Sequence, residues 1–203
     1  MSVKLLLYCT KAKQKIRVTE HLYMYEDDLY KLPNGKIKFG NSFELSLYDG
    51  QYNKDNFLNG KIVAECECQK VEEVFLQGGE EDLTFGTKSL FSIEWKSCLD
   101  FEQLESYFGY NNDIWGYALH LSNVKVLNNP LQFEKDFIYK DYKSNELITK
   151  APQNMCNVYD RFGNHYILIS IRPEHLCKIL NGEKTIEVRK KILNSLKEVK
   201  ENA

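Results

Sequence analysis

The stretch YILISIRPEHLCKILNGEKTIEVRK, residues 166–190, carries the clearest structural signals in the chain. Its β-branched and aliphatic start, 166–171, predicts a strand. Pro173 suits the first turn of a helix, where its missing N–H has no role, and Asn181-Gly182 predicts the end of that helix. A second strand is predicted over 184–190. The stretch is therefore a strand–helix–strand unit, and only a short lysine-rich tail follows it.

In the second strand of this unit, successive side chains point alternately to the two faces of the strand. Thr185, Glu187 and Arg189 fall on one face, whereas Ile186 and Val188 fall on the other, which we assign to the core. The pattern by itself favours a solvated edge strand, because Lys and Glu commonly guard sheet edges. The alternative is a small binding site that offers cations, a carboxylate and a hydroxyl.

Two further cations belong to this candidate site. Arg172 stands immediately before the predicted helix, whose first N–H groups have no partner within the helix and would attract an anion. Lys184 begins the charged strand. In this alternative, helix start and strand together form a small site with a cation, a carboxylate and a hydroxyl, next to N–H groups that attract an anion.

Length, composition and charge limit the class of protein. The chain has 203 residues, of which 43% are hydrophobic and 13% aromatic, so it fits one large domain or two small ones with a real core. The formal net charge is −2 and the pI is ≈ 6.1. This balance argues against a broad basic surface that tracks phosphates, so any nucleic-acid function needs a focal site.

We predict a cytoplasmic protein with reduced cysteines, without a membrane span, a metal site or a cofactor. The apolar run at 5–8 is too short for a signal peptide, and no stretch reaches the ~20 apolar residues of a membrane helix. The six cysteines lie in apolar segments rather than in a loop framework. Ile62, Ala64, Cys66 and Cys68 share a face of one predicted strand. For the two cysteines, core packing is favoured over metal binding.

The rest of the chain predicts an α+β fold rich in strands. Asp100 and Gln103 have the spacing of a capping box and predict a helix at 100–109. Gly163-Asn164 predicts a two-residue hairpin turn, which would pair the terminal unit with the strand before it. The apolar residues of the tail recur at helical spacing and predict a short packed helix. Strands are predicted at 4–10, 60–74, 116–131 and 151–160, the third of them either as one strand or as two broken near Ser122-Asn123.

The terminal unit resembles the signature of ASCH domains, a branch of the PUA-like superfamily. That signature is a strand, a helix and then Gly-x-Lys-Thr-x-Glu-x-Arg, and its last residues fall on Gly182, Lys184, Thr185, Glu187 and Arg189. In phage and prophage ASCH proteins of gut bacteria, the Gly-x-Lys-Thr segment comes first and a strand similar to YCTK follows it. Segments 5–13, 59–71, 96–110, 117–137 and 149–158 are similar to successive segments of those proteins.

The reversed order implies a circularly permuted single domain over 1–203. Its parts would be a barrel body at 1–160, the permuted unit at 165–190 and a helical tail at 191–203. The fold that the resemblance implies is α+β, a small PUA-like β-barrel with flanking helices. An intact domain followed by the truncated start of a second one is disfavoured, because 1–160 has no Gly-x-Lys-Thr unit of its own.

The resemblance implies that the protein binds RNA or a modified nucleotide in a focal cleft. It places Lys184, Thr185, Glu187 and Arg189 at the cleft and brings Thr10 and Gln153 beside them, and a protein partner stays open. Many relatives carry Ser-Trp after Pro-Gln, where this chain has Asn154-Met155. Tyr8, Trp95 or Trp115 could supply the missing stacking aromatic, although packing is favoured for each.

Two other functions stay open. Some relatives hydrolyse the acetyl amide of acetylcytidine with a lysine, a nucleophilic threonine and a glutamate, and others act as ribonucleases. Lys184 matches the lysine, but Glu187 occupies the position of the threonine. Lys184 and Glu187 are therefore catalytic candidates only if the chain is an enzyme. The third possibility is a phage-type protein that sequesters a nucleotide signal or a host factor.

Overall fold

The computed structural model describes residues 2–11, 15–17, 23–25, 27–41, 53–76, 84–85, 88–108, 114–133, 135–136, 138–141 and 143–201. These residues form an α+β fold that is rich in strands. The helices are α1 (Leu90–Ser97), α2 (Phe101–Phe108), α3 (Pro173–Leu180) and α4 (Asn194–Glu201), with a 3₁₀ turn at Lys54–Asn56. The strands are β1 (Val3–Cys9), β2 (Lys15–Arg17), β3 (Tyr23–Tyr25), β4 (Asp28–Lys31), β5 (Ile37–Gly40), β6 (Ile62–Leu76), β7 (Thr84–Phe85), β8 (Lys88–Ser89), β9 (Ile114–Leu131), β10 (Tyr139–Asp141), β11 (Glu146–Leu147), β12 (Met155–Tyr159), β13 (His165–Ile171) and β14 (Ile186–Arg189).

A mixed sheet of eight strands forms the centre of the fold, in the order β11-β10-β12-β13-β1-β6-β9-β14. β13 pairs with β1 in parallel, from Leu5 opposite Ile167 to Cys9 opposite Ile171. β14 pairs antiparallel with β9 at the edge of the sheet. The strand–helix–strand unit at the end of the chain therefore contributes both an inner strand and an edge strand to the sheet that begins at β1.

The α+β class is confirmed, but a closed barrel is not detected among the described residues. The hydrogen-bonded order ends at β11 on one side and at β14 on the other. β2–β3, β4–β5 and β7–β8 form separate two-stranded pairs.

Both faces of the inner strands are buried, which explains why β1 has an unbroken apolar run. Leu5, Leu7 and Cys9 belong to the main hydrophobic cluster, together with residues of β6, β9, β13, α3 and α4. Leu6 and Tyr8 point to a second cluster on the opposite face. β1 is thus packed on each side, although it lies near the start of the chain.

One parity prediction on β6 is wrong. Strict alternation puts Ile62 on the face of Ala64, Cys66 and Cys68, but Ile62 belongs to the opposite cluster. In the pairing of β6 with β1, Leu7 lies opposite Ala64 and Tyr8 lies opposite Ile62, so Val63 is an extra residue in β6. An extra residue in one strand moves the side chains before it to the other face. The β6–β9 ladder also shifts in register, and Asn123 of β9 has φ of 52°, but β9 continues through it as one strand.

The predicted two-residue turn at Gly163-Asn164 is also wrong, although the pairing of β12 with β13 is confirmed. The loop is longer, because Asp160 organises it. The Asp160 Oδ1 accepts hydrogen bonds from the N–H groups of Phe162 (2.8 Å) and Asn164 (2.9 Å). Gly163 has φ of 80°, a left-handed conformation that glycine adopts readily.

The helices begin and pack as their sequences indicate. The Gln103 N–H donates to Asp100 Oδ1 (2.8 Å) and the Asp100 N–H donates to Gln103 Oε1 (3.2 Å), which confirms the capping box of α2. α2 lies so close to β9 that a Cβ at Gly116 would overlap the ring of Phe108. The tail helix α4 is confirmed as a packed helix, because Leu196 and Val199 join the main cluster.

Candidate functional site

Three charged side chains of the terminal unit form a buried ion cluster. Lys184, Glu187 and Arg189 are only 2%, 6% and 8% exposed. The Lys184 Nζ lies 3.0 Å from Glu187 Oε2, and an Arg189 guanidinium nitrogen lies 2.8 Å from Glu187 Oε1. One carboxylate therefore bridges two cations, and we call these three residues the ion cluster.

β14 brings the ion cluster inside because both of its faces are covered. Ile186 and Val188 pack with α2 and β9 in a small apolar cluster. Glu187 and Arg189 point to the other face, on which His175 of α3 lies within electrostatic reach of Glu187. The solvated edge favoured by the sequence pattern is therefore wrong for Glu187 and Arg189. Helix α3 covers their face of β14, and the local pattern could not predict on which side of the strand this helix would pack.

The two cations keep Glu187 ionised inside the protein. Burial by itself raises the pKa of Glu187, but Lys184 and Arg189 outweigh it and hold the pKa below its usual range. With one carboxylate and two cations, the ion cluster carries one net positive charge. A buried excess charge is costly and makes the packing around this cluster sensitive to any change of its members.

His175 adds a titratable group beside the ion cluster. Burial, followed by the charge of Lys184, lowers the pKa of His175, while Glu187 acts in the opposite direction. Its Nδ1 is buried and has no hydrogen-bond partner among the described residues, as is also the case for the Arg189 Nε. His175 is therefore held in its neutral form close to a positive cluster.

Arg189 links the ion cluster to β13 and to the segment before β12. Its guanidinium donates to Asn154 Oδ1 (2.9 Å) and to the carbonyl oxygen of Ser170 (2.8 Å). The Asn154 side-chain amide in turn donates to the carbonyl oxygen of Lys191 (3.0 Å). These side-chain bonds join β14 to β13 and to the segment before β12, although no backbone ladder connects them. We call this set of bonds the Arg189 bridge.

An open cleft of about 550 Å³ lies on the sheet face that carries Tyr8 and Ser170. Strand β1 ends in it, and the segments before β12 and after β9 form its walls. Its lining consists of Tyr8, Thr10, Lys11, Gly60, Gln132, Phe133, Thr149, Lys150, Ala151, Pro152, Gln153 and Ser170.

The walls of the cleft are held by specific contacts. The rings of Tyr8 and Phe133 stack with centroids 5.1 Å apart and an angle of 22° between their planes. The Ser170 hydroxyl donates to the carbonyl oxygen of Pro152 (2.6 Å) and thereby holds the segment that presents Gln153. The Thr10 N–H donates to the Ile171 carbonyl oxygen (3.0 Å), which extends the β1–β13 pairing to the cleft.

The site residues predicted from sequence lie in three places: the cleft lining, the ion cluster and the exposed surface. Thr10 and Gln153 line the cleft. Lys184, Glu187 and Arg189 form the ion cluster, outside the described cleft lining, and the Arg189 bridge joins the two through Ser170 and Asn154.

The remaining two predicted site residues are exposed. Arg172 precedes α3 and makes no side-chain cap. Thr185 has an exposed side chain, while its N–H donates to the carbonyl oxygen of Lys96 (2.9 Å) and its own carbonyl accepts from Leu121 (2.9 Å). Its backbone therefore anchors the start of β14.

Sequence reasoning missed part of the cleft wall. Gln132, Phe133, Thr149 and Lys150 lie in irregular segments outside the terminal motif. The strand prediction that ends at Leu131 indicates that a loop follows, but no local signal says which side of the sheet that loop covers. Phe133 adds a half-buried aromatic ring to the cleft lining, at a position that no local pattern indicated.

The remaining aromatic, histidine and cysteine candidates from the sequence are found in the following environments. Tyr8 is 5% exposed, Trp95 is 77% exposed, and the Trp115 side chain lies outside the described residues. The His120 Nε2 lies 2.6 Å from Glu72 Oε2, within hydrogen-bond distance, and this contact joins β6 and β9. Cys66 and Cys68 are buried free thiols, and burial raises the pKa of Cys68 to about 11. Among the described residues, no group of His, Cys, Asp and Glu side chains is arranged to hold a metal ion.

Comparison of the chain with protein-family models, curated proteins and solved structures found no match. The fold class, α+β with a mixed sheet, is therefore defined by the structure alone. Within the part of the chain that the structure describes, no helix combines the length and the apolar character that crossing a membrane requires.

Proposed function

We propose that the chain is a circularly permuted ASCH-type domain with a PUA-like barrel, and that it binds RNA or a modified nucleotide in the cleft. The topology supports the permutation, because β13 lies next to β1 and α3 leads from β13 to β14. The unit at 165–190 is thus built into the sheet of the first 160 residues. A cytoplasmic location and a phage or prophage origin belong to the same proposal.

The composition of the cleft is the observation that carries the proposal. Its volume of about 550 Å³ suits one nucleotide or a flipped base. Phe133 offers a half-buried aromatic ring, and Gln132 and Gln153 offer amides that can both donate and accept. Aromatic surface combined with a few amides is the chemistry by which proteins bind single-stranded bases.

The geometry of the ion cluster favours binding over hydrolysis. Both oxygens of Glu187 face cations, and the carboxylate is almost completely buried, so it is poorly suited to attack a substrate. Thr185, the residue after Lys184, is exposed and does not belong to the cluster. We assign the ion cluster the role of supporting the cleft through the Arg189 bridge.

Direct binding measurements test the proposal. Nucleotides that co-purify with the native protein would be identified by mass spectrometry, and affinity for short single-stranded RNAs would be measured by fluorescence anisotropy. Phe133→Ala should weaken binding about tenfold or more, since stacking on an aromatic ring contributes about 1–3 kcal/mol per base. Phe162→Ala, at a hairpin tip that is 72% exposed, is the matched control.

Two outcomes would contradict the proposal. Equal effects of Phe133→Ala and Phe162→Ala, or no binding of any RNA or nucleotide, would remove the cleft assignment. Release of acetate from acetylcytidine by the wild type, abolished in Lys184→Ala, would favour the hydrolase instead.

A further inference from the structure

The charge of the cleft lining differs from that of the whole chain. Acidic residues outnumber basic ones in the chain, 29 against 27. The lining contains two cations, Lys11 and Lys150, and no carboxylate. Neither lysine has an ion-pair partner among the described residues. The cleft is therefore a local region of uncompensated positive charge on a slightly acidic protein.

The two lysines of the lining come from different segments of the chain. Lys11 follows β1 and lies beside Gly60, where a Cβ would be in ordinary contact with Lys11 Cγ at 3.5 Å. Gly60 has φ of 77°, a left-handed conformation that residues with a side chain rarely adopt. Lys150 lies in the segment that continues to Gln153. An anion bound in the cleft would therefore meet positive charge from two segments.

Charged residues outside the lining lie near the walls of the cleft. Lys61 follows Gly60, and its Nζ donates to the carbonyl oxygen of Asp55 (3.3 Å). The Asp136 Oδ2 accepts from the N–H of Gln132 (2.6 Å), so one carboxylate lies beside a wall. The excess of positive charge therefore belongs to the lining itself, through Lys11 and Lys150.

We infer that the cleft selects a nucleotide that carries a phosphate ester, held by Lys11 and Lys150, over the neutral nucleoside. This inference rests on the proposed function and deepens it. The base would contact Phe133 and the glutamine amides, and the phosphate would lie between the lysines. The phosphate can belong to a free mononucleotide or to an RNA strand, since both present the same group.

Isothermal titration would test this inference with four 5′-monophosphates, four 3′-monophosphates, the parent nucleosides, short trinucleotides and inorganic phosphate. At least one monophosphate or trinucleotide should bind about tenfold more tightly than its nucleoside, because a charged hydrogen bond contributes about 1.5–3 kcal/mol. Tighter binding of the trinucleotide indicates RNA as the source, and equal binding indicates a free nucleotide.

Charge-removing variants identify the groups that hold the phosphate. Lys11→Gln and Lys150→Gln should each weaken the phosphorylated ligand about tenfold and leave nucleoside binding unchanged. Lys197→Gln, an exposed lysine on α4, should have no effect. Circular dichroism and urea unfolding of each variant establish that it is folded.

Several results would overturn the inference. If nucleosides bind as tightly as monophosphates while Phe133→Ala weakens both, the phosphate assignment is wrong but the proposed function stands. If inorganic phosphate binds as tightly as every nucleotide, the lysines form a general anion site. If nothing binds and Phe133→Ala changes nothing, both the inference and the proposed function fail.

Discussion

At the scale of single residues, Glu187 shows how charges can occupy a protein interior. A buried carboxylate is tolerated only with partners, and Lys184 and Arg189 supply one for each oxygen. Removing one member of such a cluster destabilises the fold more than replacing all members by apolar residues, because the remaining members keep their charge without contact with water. The ion cluster is therefore a sensitive point of the fold.

Glu187→Gln should lower the free energy of unfolding by about 3–5 kcal/mol, because it leaves two buried cations without a counter-charge. Urea denaturation at neutral pH measures the change. The control is Glu65→Gln, whose partner Lys125 lies 3.9 Å away and is 73% exposed. That exposed pair should contribute less than about 0.5 kcal/mol. Similar losses in both variants would contradict the assigned role.

His175 predicts how stability depends on pH. Its pKa is lowered in the folded protein by burial and by Lys184 and Lys178, against the opposing charges of Glu187 and Glu174. In the unfolded state histidine has a pKa of about 6.5, so as the pH falls the unfolded chain binds this proton before the folded protein does. Stability should therefore be highest above that pH and decrease below it.

Urea denaturation of the wild type and of His175→Gln across this range measures the effect. The decrease between neutral pH and mildly acidic pH should be smaller in the variant. Glu187, whose pKa is also lowered, adds its own loss only below its ordinary pKa of about 4.3. An unchanged slope in His175→Gln would assign the loss to other groups.

At the scale of elements, the Arg189 bridge connects strands that share no backbone ladder. Among the strands that the structure describes, β14 pairs with β9 alone, and the Arg189 side chain connects it to β13. Asn154 is the centre of this connection, since it accepts from Arg189 and donates to Lys191. It stands next to Gln153 in the cleft wall, so the bridge couples the edge strand to the cleft.

Asn154→Ala should destabilise the protein by about 1.5–3 kcal/mol, because a buried guanidinium loses a charged hydrogen bond. Hydrogen exchange of the β14 amides should become faster in the same variant. Asn157→Ala is the control, since its side chain is exposed and contacts only His165 (3.0 Å) and Ser195 (3.2 Å) in the described structure. Exchange of β14 at the wild-type rate in Asn154→Ala would contradict a connecting role.

At the scale of the whole molecule, the main cluster is made by residues from both ends of the chain. Leu5 and Leu7 of β1 share it with Ile167 and Ile169 of β13 and with Leu196 of α4. No segment can complete this core without the others. We therefore expect the sheet and the tail helix to unfold together.

Leu196→Ala should lower stability by about 2–5 kcal/mol, as buried leucines do when truncated. Far-ultraviolet circular dichroism and tryptophan fluorescence should report the same shifted midpoint in urea. The neighbouring exposed residue gives the control, because Lys197→Ala should stay within about 0.5 kcal/mol of the wild type. Loss of α4 alone, with an unchanged midpoint for the sheet, would show that the tail is an appendage.

Local signals predicted those elements whose causes lie within a few residues. Pro173 and Asn181-Gly182 bound α3, and the Asp100–Gln103 pair caps α2, since each depends only on neighbours along the chain. The hairpin turn was predicted too short because the side chain of Asp160 adds hydrogen bonds that dipeptide rules omit.

Strand order, register and the burial of the charged side chains were decided by tertiary structure alone. The shift that turns Ile62 away from Ala64 arises in the pairing of β6 with β1, a strand more than fifty residues earlier in the chain. Glu187 and Arg189 alternate with apolar residues, as the polar residues of a solvated edge strand do. They are buried because α3 packs over them and because the Arg189 bridge holds them against β13. The sequence by itself thus determined the elements and their apolar faces, whereas long-range packing determined which polar residues meet, because no local pattern encodes the partner across the sheet.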